Sequence, residues 1–101
     1  HLTSAFPSRE MYSLTDQMRR AAVSVASNIA EGQAHYSRRE FIHFLRHARG
    51  SLAELETQLL ISQRLDYVQN ERVVPVLKRV EEVNRILSGL INSLHQSKSA
   101  A

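Results

Sequence analysis

The chain has 101 residues, of which 43% are hydrophobic and 23% charged, and it carries a formal net charge of +3. A chain of this length folds as one domain around a single modest core. Without cysteine it has no disulfide framework, no thiolate metal site and no cysteine nucleophile; with 3 glycines and 2 prolines it is too poor in turn formers for a loop-rich or all-β fold.

No run of ~18 apolar residues marks a membrane-spanning helix, and no secretory signal is visible. A cytoplasmic protein with no membrane partner is expected. The chain opens His1-Leu2-Thr3 with no initiator Met, as a processed chain or a fragment does. The positive excess is localised. Six arginines (Arg19, Arg20, Arg38, Arg39, Arg46 and Arg49) stand against Glu31 and Glu40 in one third of the chain, which also holds His35, His43 and His47. From Gly50 onward six bases balance six acids. Such clustering is a footprint for phosphate or a solvated helix face.

In chain order, the first break is Phe6-Pro7-Ser8, because proline pushes the residue before it out of the α region. Residues 1–5 read as the tail of an earlier helix. Leu14, Met18, Ala21, Ala22, Val25 and Ile29 recur at spacings of three and four, which predicts a helix over 14–32. Ser13 and Asp16 make a capping box at its start, and Gly32 stands where a left-handed C-terminal cap is wanted. A second helix over 38–65 opens on the capping box Ser37-Arg38-Arg39-Glu40. Its apolar seam is Phe41, Leu45, Ala48, Leu52, Leu55 and Leu59, with Ser62 the one polar member. Ile42, Phe44, Leu60 and Ile61 widen that seam into a face for two neighbours.

Asp66 to Asn70 form the next turn, and Asn70 is a good N-cap for a third helix over 71–95. Its seam, Val73, Val76, Val80, Val83, Leu87, Leu90 and Leu94, has no polar member. Pro75 removes a backbone donor and is expected to kink the first turn. The polar tail from His95 through 96–101 is expected to fray. Three helices joined by short turns give an all-α, antiparallel up-down helical bundle in a single domain over 1–101. The seams are broad enough to want a fourth helix, either continuing upstream of residues 1–5 or supplied by another subunit.

Two blocks carry a family resemblance. The run from Leu14 to Val25 is followed by Asn28-Ile29-Ala30-Glu31-Gly32; Glu40-Phe41 and Phe44-Leu45 then lead into the run from Ala48 to Leu59. Together they resemble the four-helix-bundle family of 23S ribosomal RNA intervening-sequence proteins, which are encoded within interrupted 23S rRNA genes of some bacteria and also as free-standing bacterial genes. The family is related to accessory variability proteins of diversity-generating retroelements, pentameric rings that bind nucleic acid and a reverse transcriptase. The resemblance implies a four-helix bundle whose first helix is mostly absent from this chain, a homopentamer, RNA or DNA as partner, and a reverse transcriptase as a protein partner. Members carry a base three residues after the glycine of the first block. Here His35 stands at that position, so a phosphate contact there calls for a protonated imidazole.

No catalytic constellation is visible. There is no His-Glu-x-x-His, no phosphate-binding glycine loop and no Gly-x-Ser-x-Gly elbow, and Ser24, Ser27 and Ser51 have no sequence context of a nucleophile. His43 and His47 have a metal-compatible spacing of four, but a third ligand is not evident and Arg39 and Arg46 flank the pair, so neither metal nor cofactor is expected. Gly50 in mid-helix reads as a close helix approach. The stripe Arg20, Ser24, Asn28 and Glu31 reads as a hydrogen-bond network between helices or subunits. Antiparallel pairing sets Arg19 and Arg20 level with 51–54 and Glu56 level with Lys78 and Arg79, which predicts ion pairs of Arg19 or Arg20 with Glu54, and of Glu56 with Lys78 or Arg79. Two functions fit. One is a non-enzymatic oligomeric accessory protein that grips nucleic-acid backbone through Arg38, Arg39, Arg19, Arg20, Arg46, Arg49 and His35. The other is a protein–protein scaffold whose arginines are structural.

Overall fold

The computed structural model describes the backbone of residues 7–35 and 37–100, and the side chains of 9–35 and 37–96. Three helices follow one another: α1 (Pro7–Ala34), α2 (Arg38–Arg64) and α3 (Asn70–Ala100). Among the described residues there is no strand. The earlier helix expected to end in residues 1–5 lies outside the described residues.

Helix α1 starts seven residues before the expected position. Proline fits the first helical position, where its missing N–H has no partner to lose and its fixed φ is already helical. Pro7 therefore begins the helix, and Met11 extends the half-buried seam of Leu14 and Met18 back by one more step. Ser13 and Asp16 are mid-helix residues and cap nothing; Asp16 instead meets Arg20 one turn on, at 3.1 Å. Gly32 is also no left-handed cap, since no glycine has a positive φ. The helix runs through it to Ala34, and a Cβ at Gly32 would lie 2.8 Å from Phe41 Cδ1 and 3.1 Å from Phe44 Cβ. Its role is to let α1 close onto the aromatic start of α2.

At Ser37 the backbone is extended and the side chain accepts from the Glu40 N–H at 3.2 Å, as the capping box requires. The other end of α2 closes in a Schellman turn. Tyr67 N–H reaches Ser62 O at 2.9 Å, Asp66 N–H reaches Gln63 O at 3.1 Å, and Asp66 takes the left-handed conformation with φ 58°. Helix α3 then starts on Gln69, whose carbonyl accepts from Arg72 and Val73. Asn70 is its first helical residue, with its side chain accepting from Gln63 Nε2 at 3.1 Å. The helix continues through Pro75 and on to Ala100.

Ser24 facing Ser51 and Gly32 facing Phe41 make α1 and α2 antiparallel. Gln63 at Asn70 and Arg49 at Ser88 do the same for α2 and α3. Among the described residues both outer helices pack on α2 and not on each other, and the molecule is a slab of 62 × 21 × 13 Å. The core lies along α2, where Leu45 and Ala48 are fully buried and Ile42, Leu52 and Leu59 nearly so, with Val80, Leu87 and Ile91 packed against them from α3. Met18, Val25 and Ile29 of α1 are half-buried on the same cluster. Ser62 is buried without penalty because its hydroxyl donates to Leu59 O at 2.8 Å.

The seam read along α3 splits in two. Val73, Val80 and Leu87 are buried on α2, joined by Ile91, and Val83 and Leu94 are half-buried against the same core, whereas Val76 and Leu90 remain exposed, at 42% and 37%, as does Ile86 beside the seam, at 64%. The register between α1 and α2 also differs slightly from the expected one. With Ser24 on Ser51, Arg19 and Arg20 fall level with Leu55 and Glu56, one helical position beyond Glu54. Neither expected ion pair forms: Arg20 takes Asp16, and Glu56 sits in a shallow hollow beside Val80, Glu81 and Asn84.

Two measurements follow from the backbone. Ala at Gly32 adds about 1–3 kcal/mol of overpacking against about 1 kcal/mol of gained helix propensity, so urea unfolding of Gly32→Ala should show a net loss. Gly50 has nothing within 4 Å of a built Cβ, which rules out the close approach expected there, and Gly50→Ala should gain about 0.5–1 kcal/mol. The opposite order of the two variants would contradict the packing described. At the far end, Tyr67 Oη donates to Glu10 Oε2 at 3.2 Å, and desolvation, then that hydrogen bond and the Glu10 charge, hold its pKa above the usual 10. A raised folded pKa adds stability below the unfolded value that is lost as pH climbs through the folded one. Above pH ~10 the wild type should therefore lose stability that Tyr67→Phe does not lose, read as unfolding midpoints against pH.

Candidate functional site

The six arginines and His35 do not form one surface. Arg20 is held by Asp16 on α1 with its side chain 81% exposed. Arg19 is exposed beside it, level with the middle of α2. Arg49 is half-buried and donates to Ser88 Oγ at 3.2 Å, tying α2 to α3. Among the described residues no carboxylate pairs with Arg19, Arg38, Arg39, Arg46 or Arg49.

His35 belongs to the α1–α2 turn and not to an open phosphate contact. Its Nδ1–H donates to Glu31 O at 2.7 Å, its Nε2 lies 3.6 Å from Glu40 Oε2, and its ring rests on Phe44 with centroids 5.0 Å apart. Three interactions converge on one half-buried ring, so the residue clamps the turn. The polar stripe on α1 is likewise internal: Ser24 Oγ meets Ser51 Oγ at 2.8 Å, and Asn28 Nδ2 donates to Ser24 O at 2.8 Å. That is the inter-helix network expected of it, carried by Ser24 and Asn28; Arg20 turns to Asp16, and the Glu31 backbone carbonyl accepts from His35.

What the fold does bring together is Arg39 and Arg46, two turns apart on one face of α2. They line a cleft of about 330 Å³ with Ile42, His43 and, from α3, His95. Arg46 Nη2 donates to His95 Nε2 at 2.9 Å. His43 stacks edge-on against His47 with centroids 4.5 Å apart, and both line an adjoining hollow with Arg46, Gly50, Ser51 and Glu54. No group of three or more potential metal ligands exists among the described residues. The cleft offers guanidinium donors beside imidazoles, a chemistry that suits an oxyanion. Sequence reading missed His95, because nothing in a polar stretch 49 residues from Arg46 indicates that it returns to the start of α2.

Three antiparallel helices with an uncovered apolar strip and a guanidinium–imidazole cleft place the chain among small helical-bundle proteins. The family model described as 23S rRNA-intervening sequence protein matches residues 1–89, and the chain belongs to that family. No curated protein matches it. Among the described residues no helix is long and apolar enough to cross a membrane.

Proposed function

We propose that this is a non-enzymatic, oligomeric bundle protein of the cytoplasm that binds the phosphate backbone of RNA or DNA. The observation that carries the reading is the cleft at Arg39 and Arg46, where two guanidiniums share a wall with His43 and His95 and, among the described residues, with no carboxylate. A single copy offers few such contacts, and proteins with more of them bind non-specific sites at only ~10⁻⁴–10⁻⁶ M. Repetition around an assembly makes later contacts intramolecular and raises avidity by ~10²–10⁴. The exposed strip of Val76, Ile86 and Leu90 on α3 supports such an assembly, since apolar patches of this kind mark interfaces. Family membership supports the finer points: a fourth helix completing the bundle, a ring of five, kinship with the retroelement accessory proteins, and a reverse transcriptase as protein partner.

Contacts limited to backbone phosphate predict little sequence preference, and interleaved aromatics for base stacking are lacking. Arg20 on Asp16 and Arg49 on Ser88 favour the second reading, a scaffold whose arginines serve structure. Fluorescence anisotropy with RNA and duplex DNA at two salt concentrations separates the two. Arg39→Ala with Arg46→Ala should weaken binding and flatten the salt slope by about 0.7–0.9 for each lost contact, more than Arg19→Ala with Arg20→Ala does. Absence of binding by the intact oligomer at low salt leaves the scaffold. The assembly has its own check: light scattering at micromolar concentration should give a mass near five copies, and a monomer would end the oligomer reading.

A further inference from the structure

His43 and His47 are exposed on α2, one helical turn apart, and their rings meet edge-on with centroids 4.5 Å apart. Among the described residues the ring nitrogens of this pair have no hydrogen-bond or ion-pair partner. Along the chain, the pair has Arg39 and Arg46 beside it, which repel a cation. The fold changes that balance. Arg39 does not line the hollow that holds both histidines, and Arg46 lines it with its Nη2 turned to α3. Glu54, two turns beyond His47, lines the same hollow and forms no ion pair among the described residues. Its carboxylate is a counter-charge that the spacing of the histidines does not reveal. Between them Gly50 has nothing within 4 Å of a built Cβ, so the space over that turn is open.

We propose that His43 and His47 form a two-imidazole chelate for a divalent transition-metal ion of the zinc and nickel class, with Glu54 balancing charge from the same hollow. Residues four apart on a helix lie on one face, one above the other. A zinc–nitrogen bond of 2.0–2.1 Å sets two nitrogens on one tetrahedral ion about 3.3 Å apart, a separation that rings this close reach by turning about their side-chain torsions. Imidazole favours ions of this class, whereas magnesium and calcium take oxygen ligands. No group of three histidine or acidic side chains among the described residues is placed to close the coordination shell. Water therefore fills the other positions, which makes this an open site and not the closed four-ligand centre of a structural zinc domain. The chelate exists only while residues 43–47 are helical, so the ion binds the folded chain in preference to the unfolded one. The site is independent of the nucleic-acid reading, since it uses neither Arg39 nor His95 and stands whether or not the protein binds RNA or DNA.

The test is isothermal titration of the full chain with zinc chloride, with magnesium chloride as the hard-ion control, at a pH of about 7.5, above the ordinary histidine value of roughly 6.5. Zinc should bind the wild type at this site and raise its melting temperature, and magnesium should do neither. His43→Gln or His47→Gln alone should weaken zinc binding about a hundredfold, the low end of what linking two ligands gains, and should remove the rise in melting temperature. Both side chains are exposed, so melts of these variants without metal should match the wild type. Glu54→Gln should weaken binding by a smaller factor, because it removes charge and not a ligand. In NMR spectra the ring nitrogens of His43 and His47 should shift together as zinc is added. Zinc affinity unchanged in both single histidine variants would overturn the proposal, as would shifts confined to the other histidines. Magnesium binding as tight as that of zinc, or no zinc binding by the wild type, would end it as well.

Discussion

Leu45 and Ala48 are completely buried in a protein only three helices wide, because α2 is covered on two sides by helices that do not meet each other. The arrangement depends on α2 carrying apolar residues on more than one narrow stripe. Leu45, Ala48, Leu52 and Leu59 form the central row, and Ile42 and Phe41 extend it to either side. With the outer helices each bound to α2 alone, their relative positions are fixed only through it. Among the described residues the hydrogen bonds that tie helix to helix, Ser24–Ser51, Arg49–Ser88, Arg46–His95 and Gln63–Asn70, each have one end on α2.

The same constraint explains the uncovered surface. A helix closing against two neighbours buries a wide stripe; one closing against a single neighbour buries a narrow stripe and leaves the flank exposed. Helix α3 has the sequence of the first case and the packing of the second. Val73, Val80 and Leu87 are used, while Val76, Ile86 and Leu90 are not. Helix α1 shows a milder form: Ala21 is buried, Val25 and Ile29 half-buried, and Val23 exposed. Both outer helices thus leave apolar residues exposed.

Electrostatics follow the same geometry. The arginines that looked alike in the chain are differentiated by what each meets. Arg20 finds an acid one turn away on its own helix, Arg49 a hydroxyl on α3, and Arg46 an imidazole. Exposed pairs such as Arg20–Asp16 contribute about 0–1 kcal/mol and do not hold the fold together. Their consequence is to spend some guanidinium donors within the chain. Arg39 and Arg46 stand together on α2, with His95 of α3 across the same cleft.

The sequence by itself determined the helical class, the antiparallel order, the capping of α2 by Ser37 and the turn after Leu65. Each depends on residues within a few positions of one another, so local periodicity and capping chemistry suffice to read them. It also singled out Ser62 as the odd member of a seam, and one hydrogen bond to the preceding turn explains how that residue is tolerated. Other features were decided only in three dimensions. Gly32 looked like a helix stop and is a contact point, because the distance that matters is to Phe41 and Phe44 across the turn. Gly50 looked like a contact point and faces open space. The split of the α3 seam depends on whether one helix or two lies against it, which no spacing along α3 encodes. The partnership of Arg46 with His95 joins residues far apart in the chain, and only the packing of α3 along α2 brings a guanidinium and an imidazole into one cleft.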